Sequence, residues 1–122
     1  MRYLILIHSN PKSREVWDTL SDEQQTAFGR GHLALTEQLA GSGELVASEG
    51  LPDPSQSTWV SIRDGQIHSG DGPYAEVKEY LAGFYLVDCS LERAVEIAAQ
   101  APDAAYGFVE VRPVWDMSQL DL

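Results

Sequence analysis

Two residues in this sequence have types and settings suited to moving a proton: His32 and Asp71. His32 is the polar member of a helical stripe, Phe28, His32, Leu35 and Leu39, whose spacing of i, i+4, i+7 and i+11 puts all four on one face. Asp71 stands between Gly70 and Gly72, with Pro73 and Tyr74 next, in a tight turn whose glycines let backbone approach a ligand closely. A histidine held by an aspartate in a partly dry pocket serves as a general base or acid near neutral pH. Each residue also has a structural reading. His32 fits a core histidine bonded to backbone, and Asp71 fits an Asx-turn that caps its own loop amides. Spacing does not decide whether the two meet.

Other polar residues are weaker candidates. Lys78, among Glu76 and Glu79, reads as a solvated charge or as a cation reaching back to Asp71 or to an anionic ligand. Arg112, in the last strand beside Pro113, could do the same. His8, His32, His68 and Asp71 show no HxH or HxxxH spacing, so no metal site is expected. Cys89 precedes a helix N-terminus, which favours a thiolate, but no motif makes it a nucleophile and a structural thiol is the expected state. Trp59, Trp115 and the pair Phe84-Tyr85 read as core or interface. No phosphate-binding loop, dinucleotide fingerprint or nucleophile elbow is present, and no cofactor is expected.

The elements that must position these residues follow from periodicity. Arg2–His8 is apolar on both alternating faces and reads as a strand covered on both sides, ended by Asn10-Pro11 and followed by a short polar segment with Trp17. Ser21 caps a helix running to about Leu39 or Ala40, with Gln24 completing a capping box and Gly41-Ser42-Gly43 as the stop. Gly29 and Gly31 lie inside it and either permit close approach of another backbone or break the helix. Glu44–Leu51 reads as a strand. Thr58–Arg63 and Gln66–Ser69 form a hairpin around Asp64-Gly65. Tyr74–Tyr80 offers one helical turn, and Gly83–Asp88 is a second strand apolar on both faces. Ser90 caps a helix from Leu91 to about Ala101 with Leu91, Ala94, Val95 and Ala98 inward; Gly107–Val114 is the last strand and Trp115–Leu122 a tail.

The order β-α-β-(hairpin)-β-α-β, with its two most apolar strands central, describes a ferredoxin-like α+β sheet with both helices on one face. The other face needs cover, and a second copy of the chain is the simplest, which predicts a homodimer packed sheet to sheet. With 122 residues the whole chain, 1–122, is expected to form one domain. Its 19 acidic and 8 basic residues give a net charge of -11, which argues against nucleic acid or an anionic membrane surface as partner. A single cysteine allows no internal disulfide. The apolar run Tyr3–Ile7 is too short for a signal peptide or a span, so a cytoplasmic location is expected.

The stretches Asp71–Glu79 (DGPYAEVKE), Gly83–Asp88 (GFYLVD) and Val109–Pro113 (VEVRP), with the opening Tyr3-Leu4 strand and the helix histidine followed by Gly43-Glu44-Leu45, resemble the YCII-related family, DGPF-domain branch. The likeness runs to about Val114, and Tyr74 stands where the name-giving motif has phenylalanine. The resemblance implies a dimeric ferredoxin-like α+β barrel and a pocket built from the helix histidine and the motif aspartate, here His32 and Asp71. Gly72, Pro73, Tyr74 and Lys78 would then touch a small-molecule ligand. A related branch is similar to elimination-type enzymes acting on small hydroxylated aromatics, which suits general acid/base chemistry of elimination or lyase type by a His-Asp pair. Other members are associated with extracytoplasmic-function sigma factors, which implies a non-catalytic regulatory or interaction module as the alternative.

Overall fold

The two most apolar strands pair with one another at the centre of the sheet. A computed structural model describes residues 1–70 and 79–119. Strand β1 (Arg2–Ser9) lies antiparallel between β5 (Tyr80–Asp88) and β6 (Val109–Pro113), and β2 (Leu45–Gly50) flanks β5. The resulting order β2-β5-β1-β6 is that of a ferredoxin-like α+β sheet. Strands β3 (Trp59–Arg63) and β4 (Gln66–Gly70) form a separate hairpin. Asp64 (φ 51) and Gly65 (φ 76) both turn left-handed there, as a two-residue hairpin turn requires. One face of the hairpin carries Val60, Ile62 and Ile67, all exposed.

Alternation sorts the residues of the central strands. Tyr3, Ile5, Ile7, Tyr85 and Val87 point to one face, where Leu35 and Leu39 of helix α2 (Asp22–Ser42) and Ala94, Ile97 and Ala98 of α3 (Leu91–Gln100) close the core. Ile5, Leu39, Ile97 and Val87 are fully buried, each contributing about 1.5–3 kcal/mol from removal of apolar surface from water. The opposite face carries Leu4, Leu6, Phe84 and Leu86, set beside Glu110 and Arg112 of β6 by the pairings Leu4 with Arg112 and Leu6 with Glu110.

Three local readings change. The segment after Asn10 is a helix, α1 (Pro11–Thr19), because Asn10 and Ser13 form a reciprocal capping box and Pro11 starts the first turn without needing an amide partner. In α3 the inward stripe is Ala94, Ile97, Ala98 and the capping Ala101, spaced i, i+3, i+4, i+7; Leu91 and Val95 fall outside that arc and are half-exposed. Helix α2 runs unbroken through Gly29 and Gly31.

One irregularity shapes the sheet. Ile7 pairs with Gly83 but His8 pairs with Leu81, so Ala82 is an extra residue bulged out of β5. The Ala82 carbonyl instead accepts a bond from the Leu51 amide at 2.8 Å. Among the described residues no helix is long and apolar enough to cross a membrane.

Candidate functional site

His32 sits at the midpoint of α2, one turn before the buried Leu35 and two before the buried Leu39. Its imidazole meets two side chains from distant parts of the chain. Nδ1 lies 2.6 Å from the hydroxyl of Tyr85, which faces the helices from β5, and the two rings are nearly parallel at 15°. Nε2 lies 2.5 Å from Oδ1 of Asp103, which stands in the 3-10 turn Pro102–Tyr106 that follows α3. That turn can come so close because Gly31 presents no β-carbon to the ring of Pro102. Phe28, one turn before His32, packs edge-on against the imidazole at 5.3 Å and stacks on Tyr106, so the centre is walled by aromatics.

The hydrogen-bond directions follow from chemistry. A carboxylate only accepts, so Nε2 carries the proton that Asp103 receives. In the neutral imidazole Nδ1 is then an acceptor and the Tyr85 hydroxyl donates to it. When the ring is charged, Nδ1–H donates to Tyr85 oxygen, and the phenol can donate instead to the His32 carbonyl, 3.3 Å away. Both protonation states of His32 are therefore satisfied without moving a heavy atom, as a proton-transferring group requires. Burial pushes the Tyr85 phenol above its ordinary value and the Asp103 charge adds to this, while the Thr36 hydroxyl acts against it. Tyr85 thus remains a neutral donor through the physiological range.

A cavity of about 420 Å³ opens beside this centre, lined by His32, Thr36, Ser48, Gly83, Tyr85 and Asp103 among others. A second, of about 260 Å³, lies toward α1 and is lined by Arg14, Trp17, Tyr80 and Tyr106; Phe28, Ala82 and Asp103 border both. Arg14 is held there by the Tyr80 hydroxyl at 2.8 Å and by an ion pair with Asp53.

The other candidates are placed apart. Arg112 pairs with Glu110 at 2.8 Å, and Glu110 also takes His8 at 2.9 Å; strand parity puts all three on the sheet face opposite the helices, where Arg112 serves no role at His32. His68 faces Ser61 in the exposed hairpin. The Cys89 thiol is pushed up by burial and then by the Glu44 carboxylate, which disfavours a reactive thiolate. Among the described residues no group of three His, Cys, Asp or Glu side chains is arranged to hold a metal. Asp71, Gly72, Pro73, Tyr74 and Lys78, with the helical turn expected over 74–80 up to Lys78, lie outside the described residues.

Asp103 and Tyr85 were not anticipated as site residues. The available signals were small: an aspartate directly after the helix-ending Pro102, and a hydroxyl at an inward position of an otherwise apolar strand, where a buried phenol needs a partner.

Residues 1–118 match the YCII-related domain. This chain belongs to the YCII-related family. An uncharacterized protein from Rhizobium meliloti (strain 1021) is 31% identical over 117 residues, covering 93% of this chain and 92% of the relative. Among solved structures, this YCII chain resembles 5-chloro-2-hydroxyhydroquinone dehydrochlorinase (TftG) of Burkholderia phenoliruptrix, determined in complex with 2,5-dihydroxybenzoquinone. The TM-score is 0.51 at 17% identity over 95% of this chain and 94% of the other, a likeness of fold.

Proposed function

We propose that this YCII-family protein binds a small molecule in the cavity beside His32 and transfers a proton there, in chemistry of elimination or lyase type. The observation that carries the reading is a histidine bonded at 2.6 and 2.5 Å to a neutral phenol and a carboxylate, on the wall of a cavity of about 420 Å³. That volume suits a compact ligand. The complex of TftG with 2,5-dihydroxybenzoquinone supports a ligand of similar size here. In this reading His32 and Asp71 are the acid/base pair named by the motif, with Asp103 holding the imidazole. Gly72, Pro73, Tyr74 and Lys78 supply ligand contacts from the stretch of sequence after β4. The Leu4, Leu6, Phe84 and Leu86 face packs against a second copy of the chain, which makes the working form a homodimer.

Amide NMR spectra recorded while 2,5-dihydroxybenzoquinone or hydroquinone is added test the ligand site. Shifts should concentrate at Leu33, Ser48 and Gly83. Unmoved signals at all three, with either compound at millimolar concentration, would remove the cavity as a binding site. The homodimer is read independently by sedimentation of Leu86→Glu beside the unmodified protein. A regulatory module is the second reading, favoured by Trp115 and Met117, which are exposed at 76% and 64%.

A further inference from the structure

Resting on the cavity as a ligand site but reassigning the proton acceptor within it, we infer that Asp103, through its second oxygen Oδ2, takes the role given above to His32, and that His32 is the positioning residue behind it. Both imidazole nitrogens already have protein partners, Nε2 on Asp103 Oδ1 at 2.5 Å and Nδ1 on the Tyr85 hydroxyl at 2.6 Å. A ligand reaching either nitrogen must first displace a short hydrogen bond.

Asp103 is arranged differently. Its Oδ1 receives the His32 proton, whereas Oδ2 makes no hydrogen bond to the described residues. No buried side-chain nitrogen or oxygen among the described residues lacks a partner, so Oδ2 is open to the surroundings of the side chain. Asp103 lines both cavities, while His32 borders only the larger of the two. The Asp103 side chain is only 18% exposed, so the carboxylate is partly dry.

The chain Tyr85–His32–Asp103 then works in one direction. The Tyr85 hydroxyl donates to Nδ1 and fixes the tautomer with hydrogen on Nε2; Nε2–H fixes Oδ1 and sets the carboxylate plane; Oδ2 is left for the ligand. A ligand hydroxyl or acidified C–H gives its proton to Oδ2 and keeps the bonding electron pair, while Nε2–H remains on Oδ1. The carboxylate becomes a carboxylic acid, and the same proton can return to a leaving group or to the product. The ligand class is a compact molecule bearing a hydroxyl or a carbon acid.

The test uses hydroquinone as probe and the full chain. Asp103→Asn keeps an oxygen for Nε2–H but puts an NH2 donor in place of the accepting Oδ2. Binding of hydroquinone should weaken about ten- to a hundredfold, the range for a hydrogen bond to a charged group. His32→Gln, which leaves Oδ2 in place, should weaken it less than about tenfold. In the unmodified protein the Asp103 carboxyl 13C signal should move on binding and the His32 Nε2 signal should stay. Equal binding by Asp103→Asn, or a probe response at Nε2 in place of the carboxyl carbon, overturns the assignment and leaves the cavity reading intact. Failure of the unmodified protein to bind removes both. If Asp103→Asn does not fold, the carboxyl signal of the unmodified protein decides alone.

Discussion

Gly31 and Pro102 pack so closely that a β-carbon on Gly31 would stand 2.8 Å from Pro102 Cγ. The next residue on each side, His32 and Asp103, forms the 2.5 Å bond of the site. The absence of one methyl group therefore sets the distance between the helix and the turn that hold the two halves of the pair.

Gly29 and Gly31 should respond oppositely to alanine. A β-carbon at Gly29 meets nothing within 4 Å, so Gly29→Ala should stabilise by up to about 1 kcal/mol through helix propensity. Gly31→Ala gains the same propensity but drives Pro102 outward, at an overpacking cost of about 1–3 kcal/mol. Urea unfolding should rank Gly29→Ala above the unmodified protein and Gly31→Ala below Gly29→Ala, and Gly31→Ala should shift the His32 ring signals. Equal stabilisation by both would mean that the contact is soft.

Tyr85→Phe removes the donor to Nδ1 and should cost about 1 kcal/mol, the net worth of one hydrogen bond. In the unmodified protein the phenol is held protonated by burial, so its folded value lies above its unfolded one. Its contribution is present below the ordinary tyrosine range and fades as pH rises through the folded value. Stability measured from pH 8 to 11 should therefore fall less steeply in Tyr85→Phe than in the unmodified protein. Parallel curves would show that Tyr85 titrates as it does when unfolded.

Glu44 precedes β2 and joins it to α3 through Arg93, whose Nε lies 2.8 Å from the carboxylate. The Arg93 bond, and then that from Ser42, hold Glu44 below its ordinary value. A depressed carboxylate adds stability above its unfolded range and loses it as pH falls through the folded value. Glu44→Gln should lower the unfolding midpoint at pH 7 and reduce the drop between pH 7 and pH 3. An unchanged acid limb would show that the pair contributes nothing in solution.

The inward arc of α3 gives a sharp contrast. Ile97→Ala should cost about 2–5 kcal/mol, because Ile97 is fully buried. Leu91→Ala and Val95→Ala, both half-exposed, should stay within about 0.5 kcal/mol. Comparable losses from all three would place Leu91 and Val95 under cover in solution, as against a second copy of the chain.

Much of this fold is legible along the chain because its signals are local. Runs apolar on both faces in Arg2–His8 and Gly83–Asp88 mark the central strands, Ser21 and Gln24 mark a helix start, and Asp64-Gly65 marks a hairpin. Helix α1 is harder to read because Asn10-Pro11 serves equally well as a strand stop and as a helix start. The site was half legible. His32 stands out as a polar break in an apolar stripe, but its partners lie 53 and 71 positions further on, and only tertiary packing brings them to it. Asp103 has no motif around it, since what makes it a partner is the missing side chain of Gly31, a property of another element.

The bulge at Ala82 has a consequence for how the two ends of β5 are read. A strand keeps a strict two-beat rhythm, and one extra residue shifts every later or earlier beat by half a cycle. Tyr85 and Val87 are odd-numbered and face the helices, yet Tyr80, even-numbered, pairs with Ser9 and meets Arg14 on that same side. The inserted residue lets one strand deliver a phenol to each of two neighbouring hollows, one beside His32 and one beside Arg14. The same residues paired without the bulge would keep the core and Tyr85 but set Leu81 opposite Ser9 and turn Tyr80 to the back of the sheet, so the bulge, more than the identity of the residues around it, sets whether the second hollow has its wall.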